Sequence, residues 1–356
     1  MPDRPTDDRS PPPPATARPS KLQMADIARL ANVSISTVSR ALNDHPRLSK
    51  ETRQRINELA QSLHYNVDAG AQMMRGKQLQ TVAVAFPYHP VERHHFKDPF
   101  FMALIGSIGD ALIDSGHSML IVPVLAEQFD QASKPYETRQ AIGTILLGQE
   151  TYHQRINAMA ARGIPFVVWG ARLGDQLYCT VGSDNRLGGR QATEHLLACG
   201  ARRILFLGDP ALTELAHRHQ GYLDAHQARG LQADPRLLRP LPFSTTEVAR
   251  EIDQLHADGL AFDAVFACSD RMAIAAIATL EAQGLRVPED VQVVGYDDID
   301  QAAITRPPLT TVRQSVDAAG QALVRLLLAK LRGQPVEPLV MPTRLVVRGS
   351  TRAAGG

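Results

Sequence analysis

Residues 31–43 read ANVSISTVSRALN. Ser34, Ser36, Ser39, Thr37 and Arg40 alternate with alanine, valine and leucine, which is too polar for a core helix and too regular for a loop. A helix beginning at Ile35 turns Val38, Ala41 and Leu42 to one side and Ile35, Ser36 and Arg40 to the other. Ser34 stands where a hydroxyl caps the first turn. Ahead of it MADIARLA (24–31) has its own helical spacing, and only Asn32, Val33 and Ser34 intervene. Asn32 suits the left-handed backbone of a sharp turn. Ser49 can cap a third helix, roughly 50–63, with Ile56, Leu59, Ala60 and Leu63 along one face. Three short helices with a tight turn between the first two predict a helix-turn-helix unit over residues 21–66.

Short side chains at the start of the second helix allow close approach to a DNA major groove. Arg40, one turn on, can bond bidentately to guanine O6 and N7. Ser34, Thr37 and Asn43 are placed to reach phosphates, which fixes register without reading sequence; Ser39 completes the expected DNA-facing set. Charge agrees. Residues 21–78 carry nine Lys/Arg against five Asp/Glu, a net +4, whereas the whole chain is +1 and everything after 78 is −3. A small basic segment on a mildly acidic body predicts that the first meets a polyanion and the second does not.

The 278 residues after 78 belong to a different fold class. The chain has 356 residues, 44% hydrophobic and 21% charged, enough for two or three domains with sizeable cores. From Thr81 on, apolar runs VAVAF, SMLIVPV, GTILL, PFVVW, RILFLG, AVFAC and VQVVGY alternate with helical stretches such as MALIGSIGDALIDSG. That pattern predicts βαβ units in two doubly wound parallel-sheet lobes with a ligand cleft. The Pro-rich opening, residues 1–20, has no apolar stretch and reads as a disordered tail rather than a signal peptide. No run of 18 apolar residues is present, so no membrane span is expected. Cys179, Cys199 and Cys268 are far apart and odd in number, as buried thiols of a reducing, cytoplasmic protein would be. No enzyme motif (G-x-S-x-G, a P-loop, G-x-G-x-x-G after a strand) and no convincing metal-ligand spacing occurs; His89, His94 and His95 read as a solvated loop. Asp297 and Asp298, adjacent on one turn, should point apart rather than share a proton. No enzyme activity, cofactor or metal is expected.

Several motifs in order also carry a resemblance: MADIARLANVSISTVSRALN, DPFF at 98, SDNRLGG at 183, VVGYDD at 293 and PPLTTVRQ at 307. Together they resemble the LacI/GalR family of bacterial transcription regulators over nearly the whole chain. The resemblance implies a DNA headpiece, a hinge helix and linker over 67–78, and a core over 79–352 similar to periplasmic sugar-binding proteins. Its first lobe would span 79–182 and 310–332, its second 183–309 and 333–352. It further implies a homodimer on a pseudo-palindromic operator, with affinity set by a small molecule. Ile35 and Ser36 would choose operator bases, Arg40 would make a shared base contact, and Met74 would wedge into the minor groove and kink the duplex. Val67-Asp68 departs from the usual Pro-Asn of the hinge, and Gly70 weakens a helix, so a hinge ordered only on DNA is expected.

By the same resemblance Arg218, Ser269, Asp297 and Gln314 face the ligand, joined by Phe100 and Phe101 from the first lobe and Phe243 from the second. Asp98 lies close to the first-lobe wall, and Trp169, at the end of a strand, is placed to stack on a sugar. Asp270 reads rather as the cap of the following helix, and Asp184 and Asn185 as scaffold. Gly170-Ala171-Arg172 after that strand speaks against a purine and for a larger ligand such as a disaccharide. The expected function is a repressor of carbohydrate utilisation released by a glucoside or maltose-type inducer. A corepressor-dependent regulator and a cytosolic sugar-binding module are the alternatives.

Overall fold

The structure, a computed structural model, describes residues 23–42, 45, 48–63, 80–88, 98–149 and 152–353. Asn43, the hinge with Met74, Val67, Asp68 and Gly70, the Pro-rich opening, and His89, His94 and His95 lie outside the described residues. The chain divides between Gln78 and Leu79 into two compact units.

In the first unit α1 (Met24–Ala31), α2 (Ile35–Leu42) and α3 (Lys50–Ser62) close around Ile27, Ala28, Ala31, Val38, Ala41, Ile56 and Ala60. These fall at helical spacing on each inward face, which is why three such short helices hold together. Asn32 takes the left-handed backbone (φ 52, ψ 48). Arg55 donates to the Ala31 carbonyl (3.3 Å), tying α3 to the end of α1. Arg53 donates to the carbonyls of His45 and Leu48 (3.2 Å each). Two of the nine basic side chains of this segment therefore staple the fold.

The second unit contains two six-stranded sheets, in the orders β11-β5-β4-β3-β1-β2 and β12-β10-β9-β8-β6-β7. The first joins β1 (Thr81–Tyr88), β2 (Ser118–Leu125), β3 (Thr144–Leu147), β4 (Phe166–Trp169), β5 (Thr180–Ser183) and β11 (Leu339–Met341), all parallel. The second joins β6 (Ile204–Leu207), β7 (Leu238–Arg239), β8 (Ala264–Ala267), β9 (Gln292–Asp297), β10 (Thr310–Arg313) and β12 (Arg344–Val346), with only β10 and β12 antiparallel. Helices cover both faces. Val167 and Trp169 join one core cluster while Phe166 and Val168 join another; Leu205 and Leu207 likewise separate from Ile204 and Phe206. Side chains alternate along a strand, so a strand buried on both faces must be apolar at every position, as these runs are.

The lobe boundaries differ from expectation. β10 pairs with β9, so residues 310–313 belong to the second sheet, and the crossover to the first lobe falls between Arg313 and the helix Val316–Leu331. β11 pairs with β5, which returns residues 339–341 to the first sheet before β12 pairs with β10. The chain thus crosses between lobes three times. Which strand each one pairs with decides these assignments, and the local residue pattern does not carry that.

Two helices of the second lobe, Asn185–Ala198 and Thr213–Ala228, pack backbone to backbone. A Cβ on Gly189 would lie 2.1 Å from the Arg218 carbonyl oxygen, and one on Gly221 2.1 Å from that of Arg186. This contact sets the position of Arg218 along the cleft.

Candidate functional site

Two places carry function-bearing side chains, one in each unit. In the first, Ser34 caps α2: its hydroxyl accepts from Thr37 N (3.1 Å) and lies 2.8 Å from the hydroxyls of Ser36 and Thr37. Val38 and Ala41 are buried, Ser39 is half-buried, and Ser36, Arg40 and Ile35 are exposed, the last at 52%. At 100° per residue Ile35, Ser39, Ser36 and Arg40 occupy one continuous outer arc of the helix. An isoleucine half in water at a helix start serves no packing purpose within this unit. A hydroxyl-rich first turn followed by an exposed guanidinium provides donors for phosphate oxygens and base edges.

In the second unit a cavity of about 350 Å³ lies between the lobes, inside the ~300–1,000 Å³ range of small-molecule sites. Asp98, Phe100, Phe101, Trp169, Arg218, Phe243, Ser269, Asp297 and Gln314 all line it. Asp98 caps the helix Pro99–Asp114, accepting from Phe100 N (2.9 Å), and thereby presents Phe100 and Phe101 at the cleft. Phe100 packs on Trp169 with ring centroids 5.9 Å apart, making an aromatic first-lobe wall.

The second lobe supplies the polar groups. Arg218 is buried; its Nε donates to Asn185 Oδ1 (2.8 Å), its Nη1 to the Cys268 carbonyl, and its guanidinium stacks 3.6 Å from the Tyr296 ring centre. Asp297, at the end of β9 with φ 122, accepts from Gln314 Nε2 (2.7 Å). Burial holds its carboxyl well above the ordinary value; Arg218 and the Gln314 bond pull down, while the nearby charges of Asp270 and Asp98 push up. Burial likewise raises Asp98, against Arg271, whose Nη1 stands 3.7 Å from Asp98 Oδ2 across the cleft. Asp298 turns away to accept from Arg313 and Arg348 (2.6 Å to the latter), so the adjacent carboxylates do point apart.

Around Asp270 the structure differs from expectation. Ser269 is the cap, accepting from Met272 N (3.3 Å), and lines the cavity as well. Asp270 is the first helical residue, fully buried; it accepts from Ile299 N (2.9 Å) and the Thr311 hydroxyl, and burial pushes it up to about 7. Asp184 caps the helix Asn185–Ala198. Asn185, read as scaffold, lines the cavity while holding Arg218. Sequence reasoning did not anticipate Tyr152, Asp209 or Glu214 in the lining. Glu214 stands four residues before Arg218 on one helix, so it shares Arg218's face; that spacing was the available signal. Among the described residues no group of three His, Cys, Asp or Glu could hold a metal ion. None of their helices is long and apolar enough to cross a membrane.

A helix-turn-helix with an exposed outer face, in one chain with a two-lobed α/β unit that has a cavity at its lobe boundary, defines a ligand-responsive DNA-binding protein. Residues 23–68 match the model of "Bacterial regulatory proteins, lacI family", and residues 193–351 that of the "Periplasmic binding protein-like domain". The HTH-type transcriptional regulator CelR of Thermobifida fusca is 32% identical over 330 residues, 91% of this chain and 96% of that protein. A solved CelR–cellobiose complex superposes with a TM-score of 0.70 at 31% identity, covering 92% of this chain and 99% of that one. The lac repressor dimer bound to operator and the anti-inducer ONPF gives 0.80 at 26% identity, covering 94% and 100%. The chain belongs to the LacI family of bacterial transcription regulators.

Proposed function

We propose that the cavity binds a neutral saccharide, of glucoside or maltose type, and that its occupation releases a homodimer of this protein from a pseudo-palindromic operator upstream of carbohydrate-utilisation genes. The carrying observation is the composition of one cavity: Asp297, Arg218 and Gln314 opposite a wall of Phe100, Phe101 and Trp169, with Phe243 beside them. Carboxylate and guanidinium groups hold hydroxyl pairs, and aromatic faces cover the C–H side of a pyranose ring. Four carboxylates in the lining, Asp98, Asp209, Glu214 and Asp297, stand against the single guanidinium of Arg218. That balance favours an uncharged polyol over a phosphorylated one. The similarity to the CelR–cellobiose complex supports the same ligand class.

On DNA, α2 enters the major groove: Ile35 and Ser36 select bases, Arg40 bonds guanine, and Ser34, Thr37, Ser39 and Asn43 hold phosphates, while Met74 wedges into the minor groove. The protein works in the cytoplasm and catalyses nothing. The test is operator binding by fluorescence anisotropy during titration with cellobiose, maltose and glucose. Affinity that falls with an added sugar supports the proposal. Affinity that rises identifies a corepressor, and indifference to every sugar refutes it. The same assay against salt must give a steep slope, since phosphate contacts release counterions.

A further inference from the structure

Arg271 is the second residue of the helix Asp270–Ala282, where a cation opposes the positive end of the helix dipole. Its own helix therefore gains nothing from it. The start of that helix is pinned: Ser269 caps it, and the buried Asp270 carboxylate accepts from Ile299 N (2.9 Å) and from the Thr311 hydroxyl. Ile299 packs against the cores of both lobes, so the helix begins at the seam between them. From there the Arg271 guanidinium reaches toward Asp98 of the first lobe. Asp98 lines the cavity, and Arg271 stands outside the set of residues that do.

Asp98 is held as firmly. Its Oδ1 accepts from Phe100 N (2.9 Å) and caps the helix Pro99–Asp114, whose Leu104, Ile105, Ile108 and Leu112 lie in the first-lobe core. Its Oδ2 faces Arg271 Nη1 at 3.7 Å, too far for a hydrogen bond. That Nη1 is buried, and no acceptor among the described residues takes its proton. A buried donor left unpaired is costly. The two ends belong to different lobes and each backbone is anchored in its own, so movement of the lobes sets the gap. Narrowing it by roughly 1 Å makes a charge-assisted hydrogen bond.

We propose that Asp98 and Arg271 form a latch between the lobes: as the cleft closes on its ligand, Arg271 Nη1 comes into hydrogen-bond contact with Asp98 Oδ2, and Arg271 holds the closed arrangement without touching the ligand. The proposal rests on the cavity being the effector site, whichever sugar fills it. A double-mutant cycle tests it, by isothermal titration of the full chain with cellobiose and maltose, using wild type, Arg271→Gln, Asp98→Asn and the double variant. Asparagine keeps the helix cap. Arg271→Gln weakens the sugar that wild type binds about tenfold, the effect of one charge-assisted hydrogen bond in a half-buried pair. In the Asp98→Asn background the same change has no effect. Equal losses in both backgrounds, or none in either, overturn the latch. A second measurement needs no sugar. In small-angle X-ray scattering of the free protein, Arg271→Asp sets two carboxylates against each other and raises the radius of gyration above wild type; adding Asp98→Asn reverses the rise. An unchanged radius overturns the latch, and Arg271→Gln takes its place in this measurement if Arg271→Asp fails to fold. If neither sugar binds, the saccharide reading fails and the scattering still decides the latch.

Discussion

Replacing Asp297 by asparagine should raise the stability of the free protein while removing most of its response to sugar. Asparagine is the informative substitution. The backbone at 297 has φ 122, which alanine would strain, and Gln314 Nε2 donates to an oxygen that asparagine keeps. What disappears is the charge. Because burial raises the Asp297 pKa, the stability it contributes is present below the unfolded value near 3.8 and drains as pH rises. Asparagine has no such loss, so at pH 7–8 the free variant should melt no lower than wild type. A sugar hydroxyl bonded to a carboxylate is worth about 1.5–3 kcal/mol, against about 0.5–1.5 for a neutral acceptor. For two hydroxyls the loss is roughly 2–3 kcal/mol, about 30- to 150-fold in affinity. At a sugar concentration 100 times the wild-type Kd, ligand stabilises wild type by about 2.7 kcal/mol; with a Kd 100-fold weaker the figure is about 0.4. At about 2–4 °C per kcal/mol for domains of this class, thermal denaturation should show a shift of roughly 5–10 °C falling to about 1 °C. A variant that keeps the full shift would remove Asp297 from the ligand's contacts.

Arg40→Ala should cost about 1–3 kcal/mol on operator and relax base preference at one position of each half-site; anisotropy on single-base operator variants checks this, and an equal loss on all sequences would make Arg40 a phosphate contact. Asp270→Asn should flatten the pH dependence of the melting temperature between about 4 and 7. Its carboxyl is pushed up to about 7, so its stabilisation is full below about 3.8 and is lost as pH rises through 7, while the Thr311 hydroxyl can reverse to accept from the new amide. Gly189→Ala must push a methyl into the Arg218 carbonyl oxygen; it should destabilise by about 1–3 kcal/mol and weaken sugar binding through Arg218, and unchanged melting and titration curves would deny the backbone contact.

The helix-turn-helix was legible to within a residue because its determinants are local: Ser34 and Ser49 as caps, Asn32 in the turn, and Val38 and Ala41 at helical spacing. The seven strands with apolar runs were legible for a similar reason, since burial on both faces writes itself into every position of six of them, while the edge strand β2 keeps an apolar run with only Val124 buried. β5, β7, β10, β11 and β12 were not, for TVGS, LR, TTVR, LVM and RLV are short and mixed. They become strands through partners far away, β11 beside β5 and β12 beside β10. The cavity divides in the same way. The motif-borne residues Arg218, Ser269, Asp297 and Gln314 could be placed in order along the chain. Tyr152, Asp209 and Ser183 gain their positions only when strand ends from both lobes converge.

That convergence bears on how a ligand could act. Gln314 follows β10 of the second lobe and precedes the helix Val316–Leu331, which packs on the first-lobe core, so it stands at one of the three crossings. Its amide is bonded to Asp297. A second crossing is tied to a third, with Asp184 N donating to the Met341 carbonyl (2.8 Å) and the Thr343 hydroxyl to that of Asp184 (3.3 Å). A molecule touching Asp297 and Trp169 together therefore touches both lobes and a crossover between them. It can shift their arrangement only by as much as its affinity differs between arrangements. The ion pair of Arg271 with Asp98 across the cleft belongs to one arrangement alone if the lobes move. Burial raises the Asp98 pKa and Arg271 pulls it down, so opening the cleft would hydrate the carboxylate while removing its cationic partner, two effects of opposite sign on its charge.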